Sequence, residues 1–275
     1  MDPNYRAYVA RGWDFEPAPS TLNVFLATLE YPADIKSKSL KLVQDIDFFS
    51  ETQGPPDEPD IVSGPPWYLW WMILDLAACV PPDHEWQDCL VQVLEILDQR
   101  DEKEQEEKKE TGWSEYFSYL SMAVTEQHDR YYSLGSGNAS SVAQWKNFTS
   151  FIARTSTHST WRWRSIIHLR EALEEPPVKG PDMECRLWVV TEWIIRCAGD
   201  IFEEMNHSGE IKDSTAWLYE IGPNCDAKRV LSLERWKFWK KRLSELAADA
   251  EELELGSTIT TRITKALEAM AAVEP

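Results

Sequence analysis

MECRLWVVTEWIIRCAGDI, residues 183–201, has the clearest helical periodicity in the sequence. Its apolar side chains recur in alternating steps of four and three residues, at Met183, Leu187, Val190, Ile194, Cys197 and Ile201. This spacing places all of them on one side of an α-helix of about five turns. The stretch therefore predicts a long helix with one buried side.

Apolar residues also recur at helical spacing along most of the remaining chain. Segments with this spacing occupy residues 20–53, 67–80, 86–97, 113–124, 142–152, 163–173, 233–253 and 259–270. No long segment alternates apolar and polar residues, and none carries an Asn-Gly or Asp-Gly hairpin turn. We therefore predict an all-α protein, a single globular bundle of roughly nine or ten helices without a sheet.

Glycine and proline mark one candidate domain boundary. Residues 54–66 read GPPDEPDIVSGPP, a composition typical of a linker. Residues 1–53 would then form N-terminal amphipathic helices, and residues 67–275 would form the main helical domain. The alternative is one continuous domain over residues 1–275. Residues 67–74, WYLWWMIL, are apolar all round, which predicts a central helix packed on every side.

The charge of the chain limits its partners. Its 47 Asp and Glu residues against 28 Lys and Arg give a formal net charge of −19. Such a chain repels phosphate backbones and anionic lipids, so we expect no nucleic-acid partner. The longest apolar stretch, residues 67–80, is interrupted by Asp75 and is too short to span a bilayer. Five cysteines without CxxC spacing suit reduced thiols, so we expect a cytoplasmic protein, with the nucleus as an alternative.

Sequence motifs offer little catalytic chemistry. The chain lacks the G-x-S-x-G, Walker A, G-x-G-x-x-G and H-E-x-x-H patterns, so we expect no nucleotide or redox cofactor. Asp200, Glu203 and Glu204 share one face of the long helix near its end, and their carboxylates could hold Mg²⁺. A solvated helix end is the interpretation that we favour for the same three residues.

Fourteen tryptophans are the second notable feature of the composition. Six of them are candidate ligand-binding residues: Trp67, Trp70, Trp71, Trp145, Trp188 and Trp236. Aromatic side chains around a helical pocket would suit an apolar or cationic ligand, although core packing accounts for the same residues. Basic residues interleave with tryptophan at 161–164 (WRWR) and 234–242 (ERWKFWKKR), which we interpret as internal packing and ion pairs rather than stacking on RNA.

Four parts of the sequence carry a family resemblance. They are WYLW at 67–70, PPDH at 81–84 with Leu90, Trp145 with Phe148 and the pair Ala153 and Arg154, and LERWKFW at 233–239, the most specific of them. Together, over residues 67–246, they resemble the OpdG-like family of filamentous fungi. The namesake belongs to a gene cluster that makes oxopyrrolidines, which are polyketide and amino-acid hybrids built around a tetramic acid. The resemblance implies a role in fungal secondary metabolism and identifies no reaction.

Two hypotheses from different classes follow. In the first, the protein is an accessory of fungal secondary metabolism that binds or cyclises an apolar intermediate in an aromatic-lined helical pocket. In the second, it is a non-enzymatic interaction module with an acidic surface, and exposed helices carrying Trp and Arg contact another protein. The first requires tryptophans that are spared from the core, and the second requires an apolar patch on the surface. The sequence leaves open whether the protein is an enzyme.

Overall fold

The computed structural model describes residues 19–53, 65–106, 113–132, 139–155, 163–206 and 213–275. Within these ranges the chain forms ten α-helices and no strand, which confirms the predicted all-α class. None of the described helices is long and apolar enough to cross a membrane. The predicted linker lies almost entirely outside the described residues and stays a prediction. By its contacts the chain divides into two units, residues 1–158 and 159–275.

The described part of the first unit consists of six α-helices. They are α1 (Pro19–Glu30), α2 (Ile35–Gln53), α3 (Pro65–Cys79), α4 (Glu85–Glu106), α5 (Trp113–Tyr132) and α6 (Ala139–Arg154). Helix α2 begins directly after Asp34, whose carboxylate accepts the Ser37 backbone N–H at 3.0 Å and the Ser37 hydroxyl at 2.7 Å. Such a cap satisfies a backbone donor that has no partner within the helix, which explains why the helix starts there.

Helix α3 is the central element of the first unit. Residues 72–78 are all buried, as are Leu69 and Trp70, and only Trp71 in this stretch is partly exposed. The helix packs against α5 and α6 and also meets α2 and α4. An α-helix that is apolar all round must be covered on all sides, so the predicted central position is confirmed.

The second unit is built around the long helix predicted from residues 183–201. Its described elements are α7 (Arg164–Leu169), a π-helical turn (Arg170–Glu174), α8 (Gly180–Asn206), a 3₁₀-helix (Asp213–Tyr219), α9 (Leu233–Ala248) and α10 (Ser257–Ala272). All six predicted positions of the stripe on α8 are buried. Helix α8 packs against α7, α9 and α10. At Cys197 its backbone departs from helical geometry, with φ −128° and ψ 20°.

Two local details differ from the spacing expected in this unit. The stripe predicted along 233–253 continues past the end of α9, which stops at Ala248. Leu253 is still buried, but it lies in the turn that follows, where its carbonyl accepts the N–H of Gly180 at 2.9 Å. The helix predicted through 163–173 changes to π-helical geometry at Arg170. In both places apolar side chains reach the core from a backbone that is no longer α-helical.

Candidate functional site

Helix α9 carries LERWKFW, the most specific part of the family resemblance, and begins with a capped first turn. Ser232 precedes the helix, and its hydroxyl oxygen accepts the backbone N–H of Arg235 at 3.2 Å. Residues four apart lie on the same side of a helix. Arg235 and Trp239 therefore share one side, and Trp236 and Lys240 share the next. The structure shows that each pair holds a different carboxylate.

Arg235 and Trp239 hold the side chain of Glu174, the last residue of the π-helical turn. Glu174 Oε1 accepts Arg235 Nε and Trp239 Nε1, both at 2.6 Å. Its Oε2 accepts Arg235 Nη2 at 3.0 Å and the backbone N–H of Gly222 at 2.6 Å. Neither charged side chain has any exposed surface. We call these four residues the buried carboxylate cluster; with four donors, both carboxylate oxygens are satisfied.

The remaining donors of Arg235 are also used. Its Nη1 donates to the carbonyls of Tyr219 and Val230 at 2.7 and 2.8 Å, and its Nη2 donates to the carbonyl of Glu220 at 2.8 Å. A guanidinium group has five N–H donors, and all five are directed at protein oxygens here. The cluster thus ties the segment between the 3₁₀-helix and α9 to Glu174, and it offers no open position to a ligand.

The outer side of α9 forms a shallow basic depression. Lys237, Lys240, Lys241, Ser244 and Glu274 line a cavity of about 350 Å³, which we call the lysine groove. The first four residues lie at helical spacing on α9, and Glu274 follows α10. Lysine ammonium groups are strongly hydrated point charges on flexible stems. The groove is therefore suited to an anionic group that arrives from solvent.

Glu274 places its own carboxylate in this groove. Its Oε1 accepts the indole N–H of Trp236 at 2.9 Å, and its Oε2 accepts Lys240 Nζ at 2.5 Å. Lys240 first, and then the Trp236 indole, lower the pKa of Glu274 below its ordinary value. Trp236 is only 1% exposed, and its ring meets Phe202 edge-on with the centroids 5.4 Å apart. The indole donor is thus fixed in place by packing and points at a carboxylate.

The other two lysines of the groove remain open to solvent. Lys241 is 78% exposed and lies 3.5 Å from Glu245 on the same helix, a contact of little energetic weight at such exposure. Lys237 is exposed and takes part in none of the ion pairs between described residues. These cations stand out against the net charge of −19.

The six candidate tryptophans are divided between the two units. Trp70, Trp71 and Trp145 lie in the first unit, and Trp188 and Trp236 lie in the second. Trp70 and Trp145 are buried like Trp236, whereas Trp71 and Trp188 are partly exposed. The side chain of Trp67 lies outside the described residues.

The surroundings of two of these tryptophans are polar or charged as well as aromatic. The Arg262 guanidinium lies 4.3 Å from the ring centroid of Trp188, and Trp145 meets the His128 ring at 5.3 Å. Arg262 also binds the buried Glu192 on α8, with Nη2 2.5 Å from Oε2. The Arg262–Trp188 contact has cation–aromatic geometry, which is worth about 0.5–2 kcal/mol, and the Trp145–His128 contact is an edge-to-face contact of two rings.

The three residues of the predicted acidic trio differ in their surroundings. Glu204 accepts the Tyr219 hydroxyl at 2.9 Å, Asp200 is partly exposed and Glu203 is exposed. Burial first, and then the Glu204 charge, raise the pKa of Tyr219 above its usual range. Among the residues that the structure describes, no group of three His, Cys, Asp or Glu side chains is placed to hold a metal ion.

A polar cluster that the sequence analysis did not assign lies inside the first unit. Asp75, in the middle of α3, accepts Tyr131 Oη at 2.5 Å, Gln127 Nε2 at 3.1 Å and Arg130 Nη1 at 3.3 Å. Burial raises the pKa of the Asp75 carboxyl, against the effect of the Arg130 charge. The only signal in the sequence is one aspartate within an apolar helix, which indicates a buried polar contact without identifying its partner.

Comparison with known proteins adds one finding. A family model described as a protein of unknown function (DUF3632) matches residues 70–243. The chain belongs to this family. The region that marks it as a DUF3632 member runs from α3 into α9 and contains Glu174 and Arg235, whereas Glu274 follows the match. No curated protein and no solved structure matches the chain.

Proposed function

We propose that this DUF3632 member is a protein-interaction module whose lysine groove binds an acidic segment of another protein. The observation that carries the proposal is the set of three lysines around a cavity in which a carboxylate is already bound. A carboxylate seated between an ammonium group and an indole N–H defines the chemistry that the groove accepts. The complementary ligand is a chain segment rich in Asp and Glu.

The electrostatics of the rest of the chain make the groove selective. An acidic partner is repelled by a protein of net charge −19 except where cations are concentrated. Exposed lysine contacts are weak individually and are screened by salt. We therefore expect modest affinity that falls with ionic strength, as suits a transient contact.

The biological setting of this proposal is an accessory role in fungal secondary metabolism of the oxopyrrolidine type, in the cytoplasm. Its support is the resemblance of WYLW at 67–70 and LERWKFW at 233–239 to the OpdG-like family. The partner would then be an acidic region of another protein of that pathway. The groove supplies the contact, and the proposal requires no reaction at it.

The proposal is tested by fluorescence anisotropy with a labelled hexaglutamate peptide and, for comparison, a labelled hexaserine peptide. The variant Lys237→Glu/Lys241→Glu reverses both solvent-exposed charges of the groove. The control Lys36→Glu/Lys103→Glu makes the same change of net charge at exposed lysines of the first unit. We expect the groove variant to bind hexaglutamate about tenfold more weakly, a change of about 1.4 kcal/mol, and the control to stay within about twofold.

Equal losses in the two variants, or equal binding of the two peptides, would overturn the proposal. The hypothesis of an aromatic-lined pocket predicts a different result in native mass spectrometry of protein purified from its host. A small molecule that is released only on activation would favour that hypothesis over ours.

A further inference from the structure

We propose that Glu274 is an internal competitor for the lysine groove, and that the partner's acidic segment binds by placing one carboxylate between Trp236 Nε1 and Lys240 Nζ. This inference rests on the proposed function and specifies its site. It follows from three features of the structure: how the carboxylate is held, how rigid the donors are, and how little holds the competitor.

The carboxylate of Glu274 is held in a way that any aspartate or glutamate side chain could reproduce. Each oxygen has one donor, with the Trp236 indole at 2.9 Å and the Lys240 ammonium at 2.5 Å. Nothing in this arrangement depends on the backbone of Glu274. A carboxylate from another chain meets the same two donors, with Lys237 and Lys241 beside it for further acidic residues.

The tryptophan donor makes the position a built site rather than a loose group of surface lysines. The Trp236 side chain is almost fully buried, so its N–H cannot turn away to find water elsewhere. A buried donor left without an acceptor costs about 1–3 kcal/mol. The groove therefore favours a state in which a carboxylate accepts this N–H.

Glu274 itself is attached by little else. Helix α10 ends at Ala272, and its buried residues Ile263 and Met270 anchor the helix but not the segment after it. The Glu274 side chain is 31% exposed, as is that of Lys240. Release of Glu274 thus requires movement only beyond α10, while the core of the unit stays packed. Such an attached competitor acts at an effective concentration in the millimolar range for a short segment.

The competition is tested with hexaglutamate and the variant Glu274→Ala, which removes the competing carboxylate. Glu268→Ala removes an exposed carboxylate from α10 and changes the net charge equally, so it serves as the control. We expect Glu274→Ala to bind hexaglutamate about five- to tenfold more tightly than the wild type. Glu268→Ala should stay within about twofold.

A second measurement separates occupancy from a general charge effect. The indole N–H resonance of Trp236 is assigned as the one that disappears in Trp236→Phe. Lys240→Met provides a second assignment, because loss of the neighbouring ammonium group should shift the same resonance. In Glu274→Ala the resonance should move, and hexaglutamate should return it toward the wild-type position. A resonance that hexaglutamate leaves unchanged would overturn the inference.

The outcomes distinguish the two proposals. If neither the wild type nor Glu274→Ala binds hexaglutamate, the proposed function fails. If the wild type binds but Glu274→Ala binds no more tightly, the groove stands and the competitor does not. If Glu268→Ala tightens binding as much as Glu274→Ala, the effect is one of net charge, and the inference is overturned.

Discussion

Glutamine has almost the same shape as glutamate. Even so, we expect Glu174→Gln to be among the most destabilising substitutions of this isosteric kind in the protein. Each carboxylate oxygen of Glu174 accepts two N–H donors, from Arg235 and Trp239 on one side and from Arg235 and Gly222 on the other. A glutamine amide replaces one of these oxygens by an NH₂ group. Whichever way the amide turns, this NH₂ group faces two donors, and the buried guanidinium loses its counter-charge.

The magnitude follows from the burial of the pair. Breaking a buried ion pair by removing one partner costs about 3–5 kcal/mol, and both side chains here are fully buried. We therefore expect Glu174→Gln to lose about 4 kcal/mol of unfolding free energy and on the order of 10 °C in Tm. The assay is urea unfolding followed by circular dichroism and by tryptophan fluorescence, since two probes are needed to test two-state behaviour in a chain with two units.

The matched control is Glu203→Gln, an exposed glutamate on α8, which should change stability by less than about 0.5 kcal/mol. The double variant Glu174→Gln/Arg235→Met should lose at least about 1 kcal/mol less than the sum of the two single variants, because it removes both charges together. A loss below about 1 kcal/mol for Glu174→Gln would refute the account of the cluster as a tightly coupled buried pair.

Three further predictions concern packing and pH. Gly222→Ala should cost about 1–3 kcal/mol in urea unfolding, because a Cβ there would lie 2.7 Å from Glu174 Cβ; unchanged stability would contradict this close approach. Ile194→Ala on α8 should cost about 2–5 kcal/mol by the same assay, as for a core position, and a loss under about 0.5 kcal/mol would contradict its burial. Because Lys240 holds the pKa of Glu274 below its ordinary value, the stability that Glu274 contributes is fully present above its unfolded pKa of about 4.3 and is lost as pH falls through the lower folded pKa. The difference in stability between wild type and Glu274→Ala should therefore be constant near pH 6–7 and shrink below about pH 4, and a difference that grows in acid would contradict the assigned direction.

The helices could largely be predicted from the sequence because their signal is local. Six apolar residues at helical spacing predicted α8, and all six are buried. The limit of this signal appears at Leu253, which fits the stripe of α9 but packs from a turn after the helix. Periodicity records which side chains reach the core, and it does not record whether the backbone between them remains helical.

Only the part of the site that lies on α9 could be predicted from the sequence. The segment LERWKFW was recognisable, and the interpretation of its arginine as part of an internal ion pair is confirmed for Arg235; residues 161 and 162 of the similar WRWR segment lie outside the described range. The two carboxylate partners could not be found. Glu174 and Glu274 lie 61 and 38 residues from the side chains that they bind, at Arg235 and Trp236, and each is one glutamate among many in an acidic chain.

The separation of Glu174 from Arg235 has a consequence for the order of folding. The two side chains lie 61 residues apart in the chain, and the segment between them includes the whole of α8. Closing a loop of this length costs entropy, and this cost must be overcome before the contact stabilises the chain. The pair should accordingly be absent from the folding transition state, so that its loss leaves the folding rate nearly unchanged and accelerates unfolding. The cluster would then lower the unfolding rate of the second unit and so lengthen the time for which that unit stays folded.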